Sequence, residues 1–439
     1  MDAALDSNAD EIGARLSAAL NAALSEQADG IWHARHGELT LQSHFQPIYS
    51  FPHRRVVGHE ALVRVFDAAG KPILPLRFFD SLAGFDEQLH ADRLCRLLHI
   101  HNFVRQDSHH GWLFLNIHPS VFVHGALHGP TLARAMDMLG DAGLPTHRLV
   151  FEVTEAVMAR DDDFEAAVAA ARETGCLLAL DDFGAGHSNF DRVWRIQPEI
   201  VKLDRSLLRR AMDSNRVARV MTQMVSLLHE CGALVLLEGV ETQDEALLAL
   251  DSDVDLVQGF AFGHPAPGLL GESGVSAAID EVWQLLDERH QLGRQTHAQR
   301  IAPYQAALKK ALPGLRQGQT LRQACAALLG MPGVQFCYLL DELGREICPA
   351  VEPERTHSAV GVMRAVDRRF EPLDHAGQAR WARRPYFRRA IAELGQVQIT
   401  RPYLSLHGAR MCVTVSLAFW SQAKTQVICC DLDWVPGDV

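Results

Sequence analysis

Between residues 39 and 265, eight short apolar runs recur, most of them separated by longer stretches with helical periodicity. The runs are LTLQSHFQPIYS, VVGHEALVRVF, WLFLNI, LVFEVTE, CLLALDDF, IVKLD, LVLLEGV and VDLVQGFAF. Helical patterns such as Phe164–Thr174 and Ser206–His229 lie between them. Alternating strands and helices predict a parallel sheet with crossover helices. Eight units in about 230 residues suit a closed (β/α)8 barrel better than an open sheet.

The flanks read differently. Leu16, Ala19, Leu20 and Leu24 fall at helical spacing, predicting an N-terminal helical segment over residues 1–35, ahead of a barrel over 36–270. Residues 271–325 read as a helical linker. From 326 to 439, the runs GVQFCYLLDELG, GQVQITRPYLSL, ARMCVTVSLAFW and TQVICCDLDW read as antiparallel strands, and RRPYFRRAIAEL as a helix. That pattern predicts a smaller α+β domain with helices on one side of its sheet.

Composition narrows the function classes. Of 439 residues, 48% are apolar and 22% charged, which fits a globular protein and not a disordered chain. No 18-residue apolar run is present, so no membrane span is expected. The opening MDAALDSNADEIGARL lacks the basic and apolar regions of a signal peptide. Nine cysteines without a CxxC pair read as reduced thiols in a cytoplasmic protein, not a zinc site. A net charge of -12 disfavours an extended nucleic-acid groove. It still permits a small anionic ligand wherever metal ions supply positive charge. The 22 histidines include no HExxH pair.

The chemistry is carried by polar residues in strands that should be apolar. These are Glu60, Asn116, Glu152, Asp181, Asp182, Lys202, Glu238 and Gln258, most at or near C-terminal strand ends, where barrel enzymes build their sites. Any one of them alone is more often a cap or a core ion pair. Converging carboxylates repel one another, and divalent cations resolve that repulsion. Oxygen donors favour Mg2+ or Mn2+ over zinc. Asp181 and Asp182 together suit two ions, the usual device for in-line attack on a phosphodiester. Lys202 is placed to orient an attacking water or help deprotonate it.

In this order the motifs resemble those of the EAL-domain cyclic di-GMP phosphodiesterases. The signature stands at Glu60-Ala61-Leu62-Val63-Arg64, with FQPI (Phe45–Ile48), LN (Leu115–Asn116) and FEVTE (Phe151–Glu155). DDFGAG (Asp181–Gly186), VKLD (Val201–Asp204), EGVE (Glu238–Glu241), QGF (Gln258–Phe260) and GHPAP (Gly263–Pro267) follow. The resemblance covers about residues 40–270 and implies hydrolysis of cyclic di-GMP to linear pGpG with two Mg2+ or Mn2+ ions. By position, Glu60, Asn116, Glu152 and Asp181 match the family's metal ligands, and Asp182 and Glu238 its second-metal side. Lys202 matches the water-positioning lysine. Gln46, Leu62 and Arg64 match residues at the dinucleotide, with Asn116 and Gln258 beside it. Glu155, Glu241 and the flexible Gly184 match residues that organise the DDFG loop.

Departures from the family are modest: His187-Ser188-Asn189 after DDFGAG, and His118 in LNIHPS, both read as loop residues. The alternative is an EAL fold that binds cyclic di-GMP without cleaving it. Such receptors usually lack a metal or lysine position, and all are present here. The C-terminal part resembles PAS/Cache-type sensor folds, and the whole order resembles the YkuI-type EAL proteins. That resemblance implies a homodimer regulated by a small-molecule or protein input. Trp381, Arg384, Tyr386, Tyr403 and Asp431 are its candidate ligand pocket, with Arg384 facing a carboxylate.

Overall fold

A computed structural model describes residues 18–106, 111–127, 144–154, 162–186, 190–270, 276–354, 379–405, 411–421 and 423–433. The chain divides into two compact units, Met1–Asp287 and Glu288–Val439.

In the first unit the strands are β1 (Leu24–Glu26), β2 (Trp32–His36), β3 (Leu39–Ser50), β4 (Arg55–Phe66), β5 (Pro72–Ile73) and β6 (Trp112–Asn116). Then come β7 (Leu149–Thr154), β8 (Leu177–Phe183), β9 (Ile200–Leu203), β10 (Leu234–Leu237) and β11 (Leu256–Val257). All eight apolar runs are strands. They close a barrel in the order β3-β11-β10-β9-β8-β7-β6-β4, with β4 returning to β3.

The barrel departs from the expected all-parallel sheet at one strand. β3 runs antiparallel to both neighbours, β4 and β11. Only residues 51–54 separate β3 from β4, and a parallel return needs a crossover of a dozen residues or more. The short connection therefore forces a hairpin, with Arg54 in the left-handed region at φ 54°. At the N-terminus, helix spans only residues 18–22 of the described part. Leu24, expected on that helix, instead opens β1, which pairs with β2.

The barrel floor explains why the site has the shape it does. Ile48, Phe114, Val150, Ala179, Ile200, Leu236 and Leu256 form one buried cluster, one residue from each of seven barrel strands. Gly58 completes the ring from β4, opposite Ile48. A side chain there would sit 2.8 Å from the Trp112 carbonyl and 3.2 Å from the Phe114 ring. Strand side chains repeat with period two. Two residues beyond each floor position, on the same face, stand Glu60, Asn116, Glu152, Asp181, Lys202, Glu238 and Gln258. On the reversed strand β3 the equivalent step back from Ile48 reaches Gln46.

In the second unit, β12 (Val334–Leu340), β13 (Val397–Ile399), β14 (Tyr403–Leu404), β15 (Met411–Ser421) and β16 (Lys424–Asp433) make an antiparallel sheet. Its order is β12-β16-β15-β13, with β14 also on β15. Helices cover both faces, not one as expected. Cys337, Val415, Ile428 and Cys430 pack with Leu308, Leu321 and Leu328, while Tyr338, Ala418 and Cys429 pack with Tyr386, Phe387 and Ala390. Runs such as VICCDL are apolar at consecutive positions, so both faces must be buried. The expected linker is helical over Ser276–Arg316, with Pro303 and Pro313 inside it. Among the described residues no helix is long and apolar enough to cross a membrane.

Candidate active site

Lys202 sits at the centre of the barrel mouth and is 1% exposed. Its Nζ lies 2.6 Å from Glu152 Oε1, 2.6 Å from Glu238 Oε1, 3.2 Å from Asp181 Oδ1 and 3.8 Å from Glu60 Oε2. Glu60 is held from both sides: Asn116 Nδ2 donates to its Oε1 at 2.8 Å, and Gln258 Nε2 to its Oε2 at 2.7 Å. Gln258 Nε2 also lies 3.4 Å from Gln46 Oε1. Residues from eight strands thus converge as the floor's periodicity requires.

Asp181 and Asp182 are adjacent, and in a regular strand they would face opposite sides. The pairing of β8 with β9 slips between Leu180 and Phe183, and Asp182 takes φ 59°. Aspartate tolerates that conformation better than most residues. The bulge turns both carboxylates toward the site. Oxygens of Asp181, Asp182 and Glu238 lie within 4.8 Å of one another.

Burial and charge oppose one another here. Burial works against the Lys202 ammonium, but the surrounding Asp181, Glu152, Glu238 and Glu60 outweigh it and hold its pKa well above the usual lysine value. A lysine so held keeps its proton, which supports orienting water and argues against deprotonating it. Burial would raise Glu60, yet Lys202, Gln258 and Asn116 bring it below the ordinary carboxylate range. Burial and the neighbouring Glu60 charge push Glu152 well up. Burial raises Glu238 to about 7 against the pull of Lys202, and burial with the Asp181 charge raises Asp182.

The donor set fits divalent cations. Five carboxylates face one ammonium. Glu152 is 1% exposed, and its Oε2 has no hydrogen-bond partner among the described residues. An orphaned buried carboxylate oxygen carries a full desolvation cost, which a coordinated cation would offset. All donors are oxygens, matching hard ions.

The family model described as EAL domain matches residues 32–265, more than half of the chain. The chain belongs to the EAL-domain family. Cyclic di-GMP phosphodiesterase RocR of Pseudomonas aeruginosa is 32% identical over 157 residues, 35% of this chain and 39% of that protein. Cyclic di-GMP phosphodiesterase NbdA of the same organism is 29% identical over 236 residues, 52% of this chain and 29% of that protein. Matches of this kind span well under half the length of these curated relatives. Among solved structures, Bacillus subtilis YkuI, an EAL-domain protein in complex with substrate c-di-GMP and calcium, is 19% identical. It aligns with a TM-score of 0.73 over 90% of this chain and 96% of its own, a likeness of fold.

Other residues expected at this EAL site fall around its rim. Leu62 and Arg64 share a strand face with Glu60, opposite His44 and Gln42. Arg64 is half-buried and donates through Nη1 to the Val63 carbonyl at 3.1 Å. Gly184 takes φ 100°, and its carbonyl accepts from Arg210 Nη2 at 2.7 Å. Glu241 forms no ion pair with Lys202 among the described residues. It pairs with Arg205 instead. Glu155 and His187 lie outside the described residues. His118 is exposed and bonds Ser120 Oγ at 2.7 Å, as a loop residue does.

No individual role was expected from the sequence for His44, Arg205 or Phe260, the last named only within QGF. His44 lies two residues before Gln46, so period two already placed it on the site face; its Nδ1 lies 3.3 Å from the Pro265 carbonyl. Phe260 is 49% exposed and stacks on His264 with ring centroids 4.2 Å apart, an apolar surface just past Gln258.

In the second unit the five candidate pocket residues are contiguous. The Arg384 guanidinium lies 5.8 Å from the Trp381 ring centre and 5.6 Å from that of Tyr403. Tyr403 stacks on Tyr386 at 6.4 Å. Asp431 is 1% exposed and accepts from Thr414 Oγ1 at 2.7 Å and Tyr338 OH at 3.3 Å. Burial outweighs these hydrogen bonds and raises its carboxyl to about 6.

Proposed function

We propose that the chain hydrolyses cyclic di-GMP to linear pGpG with two Mg2+ or Mn2+ ions. The observation that carries this reading is the ring of Glu60, Glu152, Asp181, Asp182 and Glu238 around one buried ammonium, with an orphaned oxygen on Glu152. Five carboxylates against one lysine leave four formal negative charges, which two divalent ions would balance. When bound, such ions polarise a phosphodiester and make water a nucleophile at neutral pH.

The chain's own residues do the rest. Glu60, Asn116, Glu152 and Asp181 would hold one ion; Asp182 and Glu238 would complete the second. The protonated Lys202 orients water for in-line attack, and the ribose 3′ oxygen departs. Arg64, on the Glu60 face, binds a phosphate oxygen. Gln46 and Gln258 fix Glu60 and the rim, and Leu62 with Phe260 offers apolar area to the dinucleotide.

The proposal extends to the second unit, where Arg384 between Trp381 and Tyr403 suits a small carboxylate ligand that tunes turnover. Chromatography of products from purified chain with cyclic di-GMP, with Mn2+ and with EDTA, tests the reading. Metal-dependent pGpG supports it. Tight cyclic di-GMP binding without product, in both the full chain and a chain ending near residue 270, would make the protein a receptor.

A further inference from the structure

We propose that Arg205 is a positioning residue that fixes Glu238 and so sets the affinity of the site for divalent ions. The inference rests on the metal-dependent reading above. Arg205 opens the helix Arg205–Asp213, whose N-cap Asp204 accepts from Ser206 N at 2.9 Å. The cap anchors the Arg205 backbone three residues beyond Lys202.

From that anchor the side chain reaches the turn after β10. Its stem lies flat against Gly239, which has φ 69°. A Cβ at 239 would stand 2.4 Å from Arg205 Cγ, 2.5 Å from Cδ and 2.7 Å from Cβ. Its Nη2 then pairs with Glu241 Oε2. Glu241 is tied onward, because its backbone N donates to Glu245 Oε2 at 2.8 Å. One side chain therefore touches the residue after Glu238 and grips the residue three beyond it.

The other flank of this turn is held by the Val240 side chain, buried in the barrel core, and by backbone hydrogen bonds, and Glu238 N donates to the Leu203 carbonyl at 3.1 Å. Val240 N donates to the Gln258 carbonyl at 3.1 Å, and Ala261 N donates to the Val240 carbonyl at 3.1 Å. Glycine at 239 has the widest backbone freedom of any residue. Arg205 removes that freedom by packing and by charge. It makes no ion pair with Asp181, Asp182 or Glu238 among the described residues, so it acts on the site through Glu238's position and not as a direct counter-ion.

The test is calorimetric titration of Mn2+ into the full chain, with melting curves alongside, for wild type, Arg205→Ala, Arg205→Lys, Glu241→Gln and the double variant Arg205→Ala/Glu241→Gln. Loss of a partner that orients a ligand typically weakens metal binding about 10–100-fold. Arg205→Ala is expected in that range, with KM for cyclic di-GMP at saturating Mn2+ within about threefold of wild type. Arg205→Lys, which keeps the stem against Gly239, should lose less. The double variant should bind Mn2+ no worse than Arg205→Ala, because both changes break one linkage. If Arg205→Ala does not fold, Glu241→Gln carries the test alone and must weaken Mn2+. A folded Arg205→Ala or Glu241→Gln that binds Mn2+ as wild type does overturns the inference. Absence of Mn2+ binding by wild type overturns the metal reading itself.

Discussion

Replacing Lys202 with methionine keeps most of the apolar stem of the side chain and removes its charge. The ammonium lies within 3.8 Å of four carboxylates, two of them at 2.6 Å, and is 1% exposed. Removing one partner of a buried charge set costs about 3–5 kcal/mol. In a unit of this size each kcal/mol shifts the midpoint by roughly 2–4 °C, so the barrel transition should fall by roughly 10 °C. The loss depends on pH. Glu238 is raised to about 7 even against the pull of Lys202, so without that ammonium it rises further, and protonation relieves the repulsion more fully at pH 6 than at pH 8. The assay is thermal unfolding in EDTA at both pH values, then with saturating Mn2+. The variant should lose more at pH 8 than at pH 6, and Mn2+ should restore it more than it stabilises wild type. Turnover should stay at least about 100-fold down even with Mn2+, since no group remains to orient water. A metal-free midpoint at pH 8 within 2 °C of wild type, on the order of 1 kcal/mol, would refute Lys202 as the counter-ion of this ring.

Three further outcomes follow from the same geometry. Asp181→Asn removes a charge from both the Lys202 pair and the Asp182–Glu238 cluster; pGpG formation should drop by a factor on the order of 100 or more, read in a Mn2+-saturated rate assay. Gly259→Ala would put a Cβ 2.0 Å from the Val240 carbonyl oxygen, so the barrel should lose about 3 kcal/mol or more in urea unfolding. Asp431→Asn concerns the second unit: burial raises this carboxyl from 3.8 to about 6, so the native state holds the proton more tightly. The wild-type contribution is therefore full below pH 4 and is lost as pH rises through 6, by roughly 3 kcal/mol. The variant should gain on wild type across that window and run parallel to it above; a constant difference from pH 4 to 8 would contradict the assignment.

The barrel was legible because its strands announce themselves twice, as apolar runs and as carriers of polar residues near their C-terminal ends. The floor was legible in principle as well: the residue two before each of Glu60, Asn116, Glu152, Asp181, Lys202, Glu238 and Gln258 is apolar or glycine. The antiparallel β3 was readable from the four residues before β4, yet the regular alternation elsewhere masked it. Leu24 misled because Ala- and Leu-rich spacing suits a helix, while pairing with Ala34 holds it in a strand. The Arg205–Glu241 pair left no local signal, since 36 positions separate its partners and only the closed sheet brings β9 and β10 side by side. The double-faced second sheet was readable from consecutive apolar runs such as VICCDL, but which helix covers which face is set by the tertiary fold and not by those runs.

Hydrolysis is tested by running the reaction in 18O-labelled water with Mn2+. Linear pGpG should carry one labelled oxygen on its terminal phosphate if, as proposed, water oriented by Lys202 attacks phosphorus and the ribose 3′ oxygen leaves. Bound but uncleaved cyclic di-GMP, or linear product without label, would contradict it.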